Sequence, residues 1–208
     1  MKITIFGATG SVGRHLVEKS LAQGHQVTAF ARNPYALQIE HPNLLLFSGD
    51  VLDQRSVSFA IKGAEGVMIC LGSAKLTGRL RSDGTRNIIN AMEQHGVKRL
   101  ICQSSLGAGD SRANLNFFWK YLMFGMLLRF VMKDHEIQEA MVRKSKLDWT
   151  IIRPAAFIDD ANGKGYKHGF AANDRKLTLK IARSDVAEFM LKQINDNIYL
   201  RQSPGLSY

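Results

Sequence analysis

The chain has 208 residues, 45% apolar and 22% charged, which is enough for one well-buried core and too short for two comfortable domains. That composition excludes a disordered chain, and two cysteines, Cys70 and Cys102, exclude a disulfide framework. The formal charge of +10 is spread along the whole chain without a nucleic-acid-binding signature, so no nucleic acid is expected, and a polyanionic small molecule or a solvated surface accounts for it.

The chain opens on a strand pattern, Lys2-Ile3-Thr4-Ile5-Phe6, that runs straight into glycines without signal-peptide architecture. Both cysteines fall in apolar runs and read as core thiols, so a reducing, cytoplasmic setting is expected. Strands are predicted near residues 2–6, 26–30, 44–47, 66–70, 98–102 and 149–152. Amphipathic helices lie between them. The first runs from Val12 to Gln23 with Val12, Leu16, Val17 and Leu21 on one face. Another runs from about Ser82 to His95 and stops at a C-cap glycine, Gly96. Ser184-Asp185 reads as the N-cap of a last helix carrying Val186, Phe189, Met190 and Ile194. Alternation of strand and helix predicts an α/β protein with a parallel sheet covered on both faces, and no repeat or linker interrupts it.

The motif Gly7-Ala8-Thr9-Gly10-Ser11-Val12-Gly13 lies between the first strand and the first helix. A glycine-rich turn there lets the backbone approach a pyrophosphate, and the helix N-terminus supplies amide donors and a favourable dipole. With a second strand at the expected distance, the context is that of a dinucleotide site. The second strand ends in Phe30-Ala31-Arg32. An acidic residue there would accept from ribose hydroxyls, whereas arginine suits a 2′-phosphate, so NADPH/NADP is the expected cofactor. Arg14, just after the glycines, either assists or is solvated.

Further residues complete a resemblance. Gly49-Asp50-Val51, Cys70-Leu71-Gly72, Gly84-Thr85-Arg86-Asn87, Ser104-Ser105 and Trp149-Thr150-Ile151-Ile152-Arg153-Pro154 join the glycine motif and Arg32. Together they resemble an atypical short-chain dehydrogenase/reductase. Within that superfamily the chain is most similar to the biliverdin-IXβ reductase/NADPH-dependent flavin reductase group, which shades into the NmrA-like NAD(P)-binding proteins. The resemblance implies a single Rossmann-type, doubly wound domain over residues 1–208 with a short C-terminal substrate region. It also implies that Gly7, Thr9, Gly10, Ser11, Val12 and Gly13 wrap the pyrophosphate and that Arg32 meets the 2′-phosphate. Asp50 and Val51 would meet the adenine, and Leu71 and Gly72 the adenosine side. Ser104, Ser105 and Pro154 would lie beside the nicotinamide.

None of the five tyrosines, Tyr35, Tyr121, Tyr166, Tyr199 and Tyr208, is followed four residues later by lysine, the pair that ordinary short-chain dehydrogenases use for proton transfer. The resembled group also lacks the pair, and implies hydride delivery to a planar conjugated acceptor, a flavin or a biliverdin-like tetrapyrrole. The second proline and the histidine that this group carries after the position of Pro154 are replaced by Ala155 and Ala156.

An apolar insertion at about 110–133 contains the run Phe117 to Met132, broken by Lys120 and Arg129, and is too short for a membrane span. It reads as a packed helix or helix pair, as a hydrophobic lid over the substrate, or as a patch for weak membrane-surface association or a dimer. His135 and Glu139 follow one turn apart. His135 is a candidate general acid beside Ser104 and Ser105, or a solvated residue at a helix start. The histidines show no ligand spacing, so no metal is expected, and the assembly is expected to be a monomer or homodimer. Two functions remain open: a reductase, or an NmrA-like sensor that binds NADP(H) with little turnover.

Overall fold

All six predicted strands form, as β1 (Lys2–Phe6), β2 (Gln26–Ala31), β3 (Leu44–Ser48), β4 (Gly66–Ile69), β5 (Arg99–Gln103) and β6 (Asp148–Pro154). The computed structural model describes residues 1–73, 76–159, 165–171, 174 and 176–208. These strands are parallel, in the order β3-β2-β1-β4-β5-β6. Three-residue β7 (Ala156–Ile158) pairs with β9 (Lys180–Ala182) as a separate ribbon. At the sheet edge, β10 (Gly205–Ser207) runs parallel to β6, and β8 (Lys167–His168) runs antiparallel to β10.

Alternate strand residues feed two cores, as a doubly covered sheet requires. Ile3, Ile5, Met68, Ile101 and Ile152 face α1 (Gly13–Ala22) and α5 (Arg183–Lys192). Phe6, Val67, Ile69, Leu100 and Ile151 face α2 (Gln54–Ile61), α3 (Leu80–His95) and α4 (Arg129–Lys144). Thr4, the one polar residue inside β1, satisfies its hydroxyl by donating to the Ala60 carbonyl of α2 at 2.8 Å. Both cysteines are buried, unpaired core thiols.

Helix ends depart from expectation in three places. Gly96 does end α3 in the left-handed region, at φ 71°. But α3 begins at Leu80, because buried Asp134 of α4 accepts from the Arg81 and Ser82 amides at 3.0 Å each and caps it from outside. The last helix starts at Arg183 behind Ala182, so Ser184-Asp185 is not its N-cap. Asp185 sits in the first turn, where a carboxylate suits the helix dipole, and accepts from the Tyr208 hydroxyl. His135 lies within α4 and is buried, not solvated at a helix start.

The apolar insertion folds as a tight turn over Gly109–Asn114, then a wide helix over Phe118–Leu127. Its closing bond reaches five residues back, from the Leu128 amide to the Met123 carbonyl at 2.7 Å. Trp119 and Phe124 turn inward and pack on the core, while Phe117, Tyr121, Met126 and Phe130 face outward. The Phe124 ring packs over Gly107, where any Cβ would lie 2.7 Å from it.

Candidate functional site

A cleft of about 910 Å³ opens at the carboxyl ends of β1, β2, β4, β5 and β6. This is where a doubly wound sheet places its ligand. Of the residues expected to form the site, all but Gly13 line it.

At one end is the glycine turn. Gly7 has φ +81°, and a Cβ there would lie 2.4 Å from the Cys70 carbonyl oxygen; at Gly10 it would lie 3.1 Å from the Gly7 carbonyl. A side chain at either position would press on backbone, so glycine lets the turn fold on itself and close on the chain just past β4. Gly13 differs. Its Cβ would lie 2.1 Å from the Gly7 carbonyl, behind the cleft, so its role is to let α1 close on the turn. No side chain caps α1, its first turn holds no acid, and the Ser11, Val12 and Gly13 amides have no backbone partner among the described residues. Uncapped donors at a helix N-terminus are what an anionic group would satisfy, so the residues present fit a dinucleotide phosphate.

Arg32 lies exposed just past β2, and its guanidinium makes no ion pair among the described residues. Arg14 is half-buried and does not line the cleft. It donates to the Leu37 and Ala36 carbonyls at 2.6 and 2.7 Å, fixing the turn after Arg32. Asp50 accepts from the Leu52 amide at 2.9 Å, and Asn87 of α3 donates to the Val51 and Leu52 carbonyls at 3.0 and 3.1 Å. The loop expected to meet the adenine is thereby fixed from both sides.

Beyond β5 the hydroxyls divide. Buried Ser104 donates to Glu139 at 2.7 Å. Glu139 in turn receives both Nε and Nη2 of Arg153, at 2.9 and 2.7 Å, and Arg153 reaches Asp110 at 2.6 Å. Burial alone would raise the Glu139 pKa, but the hydrogen bonds and charge of Arg153, with Ser104 and Arg143, hold it below the usual value. Glu139 therefore braces Ser104 from behind and does not face the cleft. Ser105 is half-buried and lines the cleft, its hydroxyl 3.3 Å from the Leu106 carbonyl.

His135 lines the cleft, but burial and then the Arg81 charge lower its pKa to about 4. At neutral pH it is uncharged, with no hydrogen-bond partner on its Nδ1. Burial and Arg81 thus favour the neutral imidazole, which is a poor proton donor near neutrality. The far end of the cleft is apolar, lined by Leu115, Trp119, Phe124, Leu128, Phe157 and Leu179 with Ala155 and Ala156. Among the described residues that line the cleft there is no tyrosine and no lysine.

Sequence reasoning missed Arg81 and Asp134, and quoted Arg153 without giving it a partner. A charge inside the apolar run of β6 was the available signal, since a buried arginine requires a carboxylate.

A family model described as NAD(P)H-binding matches residues 7–197. The sterol-4-alpha-carboxylate 3-dehydrogenase, decarboxylating, of Bos taurus is 31% identical over 110 residues, covering 50% of this chain and 30% of the relative. The chain spans about a third or less of the length of the first curated relatives it matches. Among solved structures, ChuY, an anaerobillin reductase from Escherichia coli, is 26% identical with a TM-score of 0.79, covering 100% of this chain and 97% of that one. A short-chain dehydrogenase/reductase from Veillonella parvula, solved in complex with NADP, shares the fold at 19% identity, with a TM-score of 0.81 over 100% and 94% of the two chains. The chain thus belongs to the NAD(P)H-binding family and shares its fold with short-chain dehydrogenases/reductases.

Proposed function

We propose that the protein is an NADPH-dependent reductase of a planar conjugated acceptor, a flavin or a biliverdin-like tetrapyrrole. One observation carries this reading. A single continuous cleft joins an uncapped, glycine-lined phosphate cradle to an apolar chamber roofed by Trp119 and Phe124. A mostly apolar pocket with a few convergent polar groups suits a flat aromatic ligand. The likeness to ChuY, an anaerobillin reductase, supports a tetrapyrrole-like acceptor here.

Bound NADPH would supply the hydride, and the chain's own residues position donor and acceptor. The Ser11 and Val12 amides hold the pyrophosphate, and Arg32 selects the 2′-phosphate. Ser105 meets the nicotinamide end with its hydroxyl, while Ser104 is kept in place by Glu139. Trp119, Phe124 and Phe157 stack on or enclose the acceptor and exclude water. With no tyrosine, lysine or charged histidine among the described lining residues, the proton comes from solvent.

The test is NADPH consumption at 340 nm with flavin mononucleotide or biliverdin, run beside a cofactor titration. Turnover is expected. In Arg32→Ala, NADPH affinity should fall about 10- to 100-fold, the value of a charge-assisted bidentate contact. NADH affinity should be unchanged. Equal losses for both cofactors would remove Arg32 from the 2′-phosphate site. A second reading, an NmrA-like sensor, is favoured by the commitment of Ser104 to Glu139 and the neutrality of His135. Tight NADPH binding without oxidation by any flavin or tetrapyrrole would select it.

A further inference from the structure

The outer face of the wide helix is the largest concentration of exposed apolar side chains among the described residues. Phe117, Tyr121, Met126 and Phe130 stand out, with Leu122 and Leu127 beside them, and Phe117 and Met126 are 78% and 69% exposed. Such a patch on a folded chain marks an interaction surface.

Its charge says what covers it. Residues 111–133 contain Arg112, Lys120, Arg129 and Lys133 and no carboxylate. None of these four cations forms an ion pair among the described residues. Lys120 lies 5.6 Å from the Tyr121 ring and Arg129 lies 4.5 Å from the Phe130 ring. Two of the aromatic groups, Tyr121 and Phe130, thus have a cation beside them whose long stem can lie on apolar surface while its head reaches a charged layer. A second copy seated face to face would bring two copies of Lys120 and Arg129, four cations, together without a counter-charge. A bilayer with anionic headgroups instead complements both the apolar centre and the basic rim.

We propose that this face docks on an anionic lipid surface, lying in the headgroup layer without spanning it. No described helix is long and apolar enough to cross a membrane. The opposite face of the same helix carries Trp119 and Phe124, which roof the apolar end of the cleft. Docking therefore holds that end against the bilayer. The docking is independent of the reaction; only the route it gives a lipid-soluble acceptor rests on the reductase reading.

The test is flotation of the full chain with phosphatidylcholine vesicles and with vesicles that also contain phosphatidylglycerol, without cofactor or acceptor. Binding is expected to the anionic vesicles only, and to weaken with salt. Lys120→Ala with Arg129→Ala should weaken it about 25-fold, at about fivefold per cation. Phe117→Ser with Met126→Ser should abolish it. All four side chains are outside the cleft lining, so circular dichroism and NADPH titration of both variants should match the parent and show that the fold is intact. Absence of binding, or equal binding to neutral vesicles, overturns the proposal. So does a monomer–dimer equilibrium in sedimentation velocity that Phe117→Ser with Met126→Ser removes, which assigns the face to a second copy. Because the readout needs no turnover, failure here leaves the reductase reading standing, and the reverse also holds.

Discussion

Three glycines in one motif perform two different tasks. Gly7 and Gly10 let the turn close on itself and on the Cys70 carbonyl, whereas Gly13 keeps α1 seated on the Gly7 carbonyl, 2.1 Å from where its Cβ would be. Gly13→Ala must shift the turn or the helix, so it should cost about 1–3 kcal/mol through overpacking and weaken cofactor binding at the same time. Gly72→Ala is the comparison, since a Cβ there meets nothing within 4 Å and should leave the urea midpoint unchanged. A parental midpoint for Gly13→Ala would remove the packing argument. The motif was legible in the sequence because strand, turn and helix follow one another locally. The division of labour inside it was not, because it depends on which carbonyl lies behind each Cα. The pair His135 and Glu139 shows the same boundary. Their spacing put them on one side of a helix, but only the packing of α4 against β6 turns Glu139 to Arg153 and leaves His135 at the cleft.

At the scale of elements, the six parallel strands were readable because each is a short apolar run bounded by turn residues, and all but the edge strand β3 are largely buried. Strands β7 to β10 were not, since two or three residues take their pairing from distant chain. The wide helix escaped for another reason. Its inward residues Trp119, Phe124 and Leu128 recur at steps of five and four, which a 3.6-residue template does not register. The start of α3 was also set from outside, by Asp134. Asp134→Ala should remove a cap with a typical value of about 0.5–2 kcal/mol and leave the Arg81 guanidinium, 3.6 Å away, without its counter-charge. Because Leu80 and Arg81 line the cleft, affinity for NADPH should fall with stability. Asp134→Asn, which keeps an acceptor for one amide, should recover part of the loss in urea unfolding. If Asp134→Ala unfolds at the parental midpoint, α3 is held by its packing alone.

Across the whole molecule, one buried network ties the end of β5, helix α4, strand β6 and the turn at Asp110 through Ser104, Glu139 and Arg153. Its ionisation, together with that of His135, predicts how stability depends on pH. Glu139 is held below its ordinary value of 4.5, so the unfolded chain takes up that proton first. The Glu139 contribution is present above pH 4.5 and is lost as pH falls through the lower folded value. His135 is shifted down from 6.5 to about 4, so here too the unfolded chain binds the proton first, and stability declines as pH falls from 6.5 toward 4. That shift corresponds to a loss on the order of 3 kcal/mol, at about 1.4 kcal/mol per unit. Urea unfolding between pH 8 and 3.5 should therefore show a plateau, a decline starting near 6.5 and a steeper fall below 4.5. His135→Asn should remove much of the upper part of the decline, leaving the share of His25, which burial also holds below 6.5. Glu139→Gln should cost about 3–5 kcal/mol on the plateau, by leaving Arg153 buried without its carboxylate, and flatten the lower part. Stability that stays level from pH 8 to 4.5 in the parent would show that His135 is charged in the folded chain. The cleft would then hold the proton donor that its neutral imidazole denies it, and turnover would acquire a pH inflection that solvent protonation does not produce.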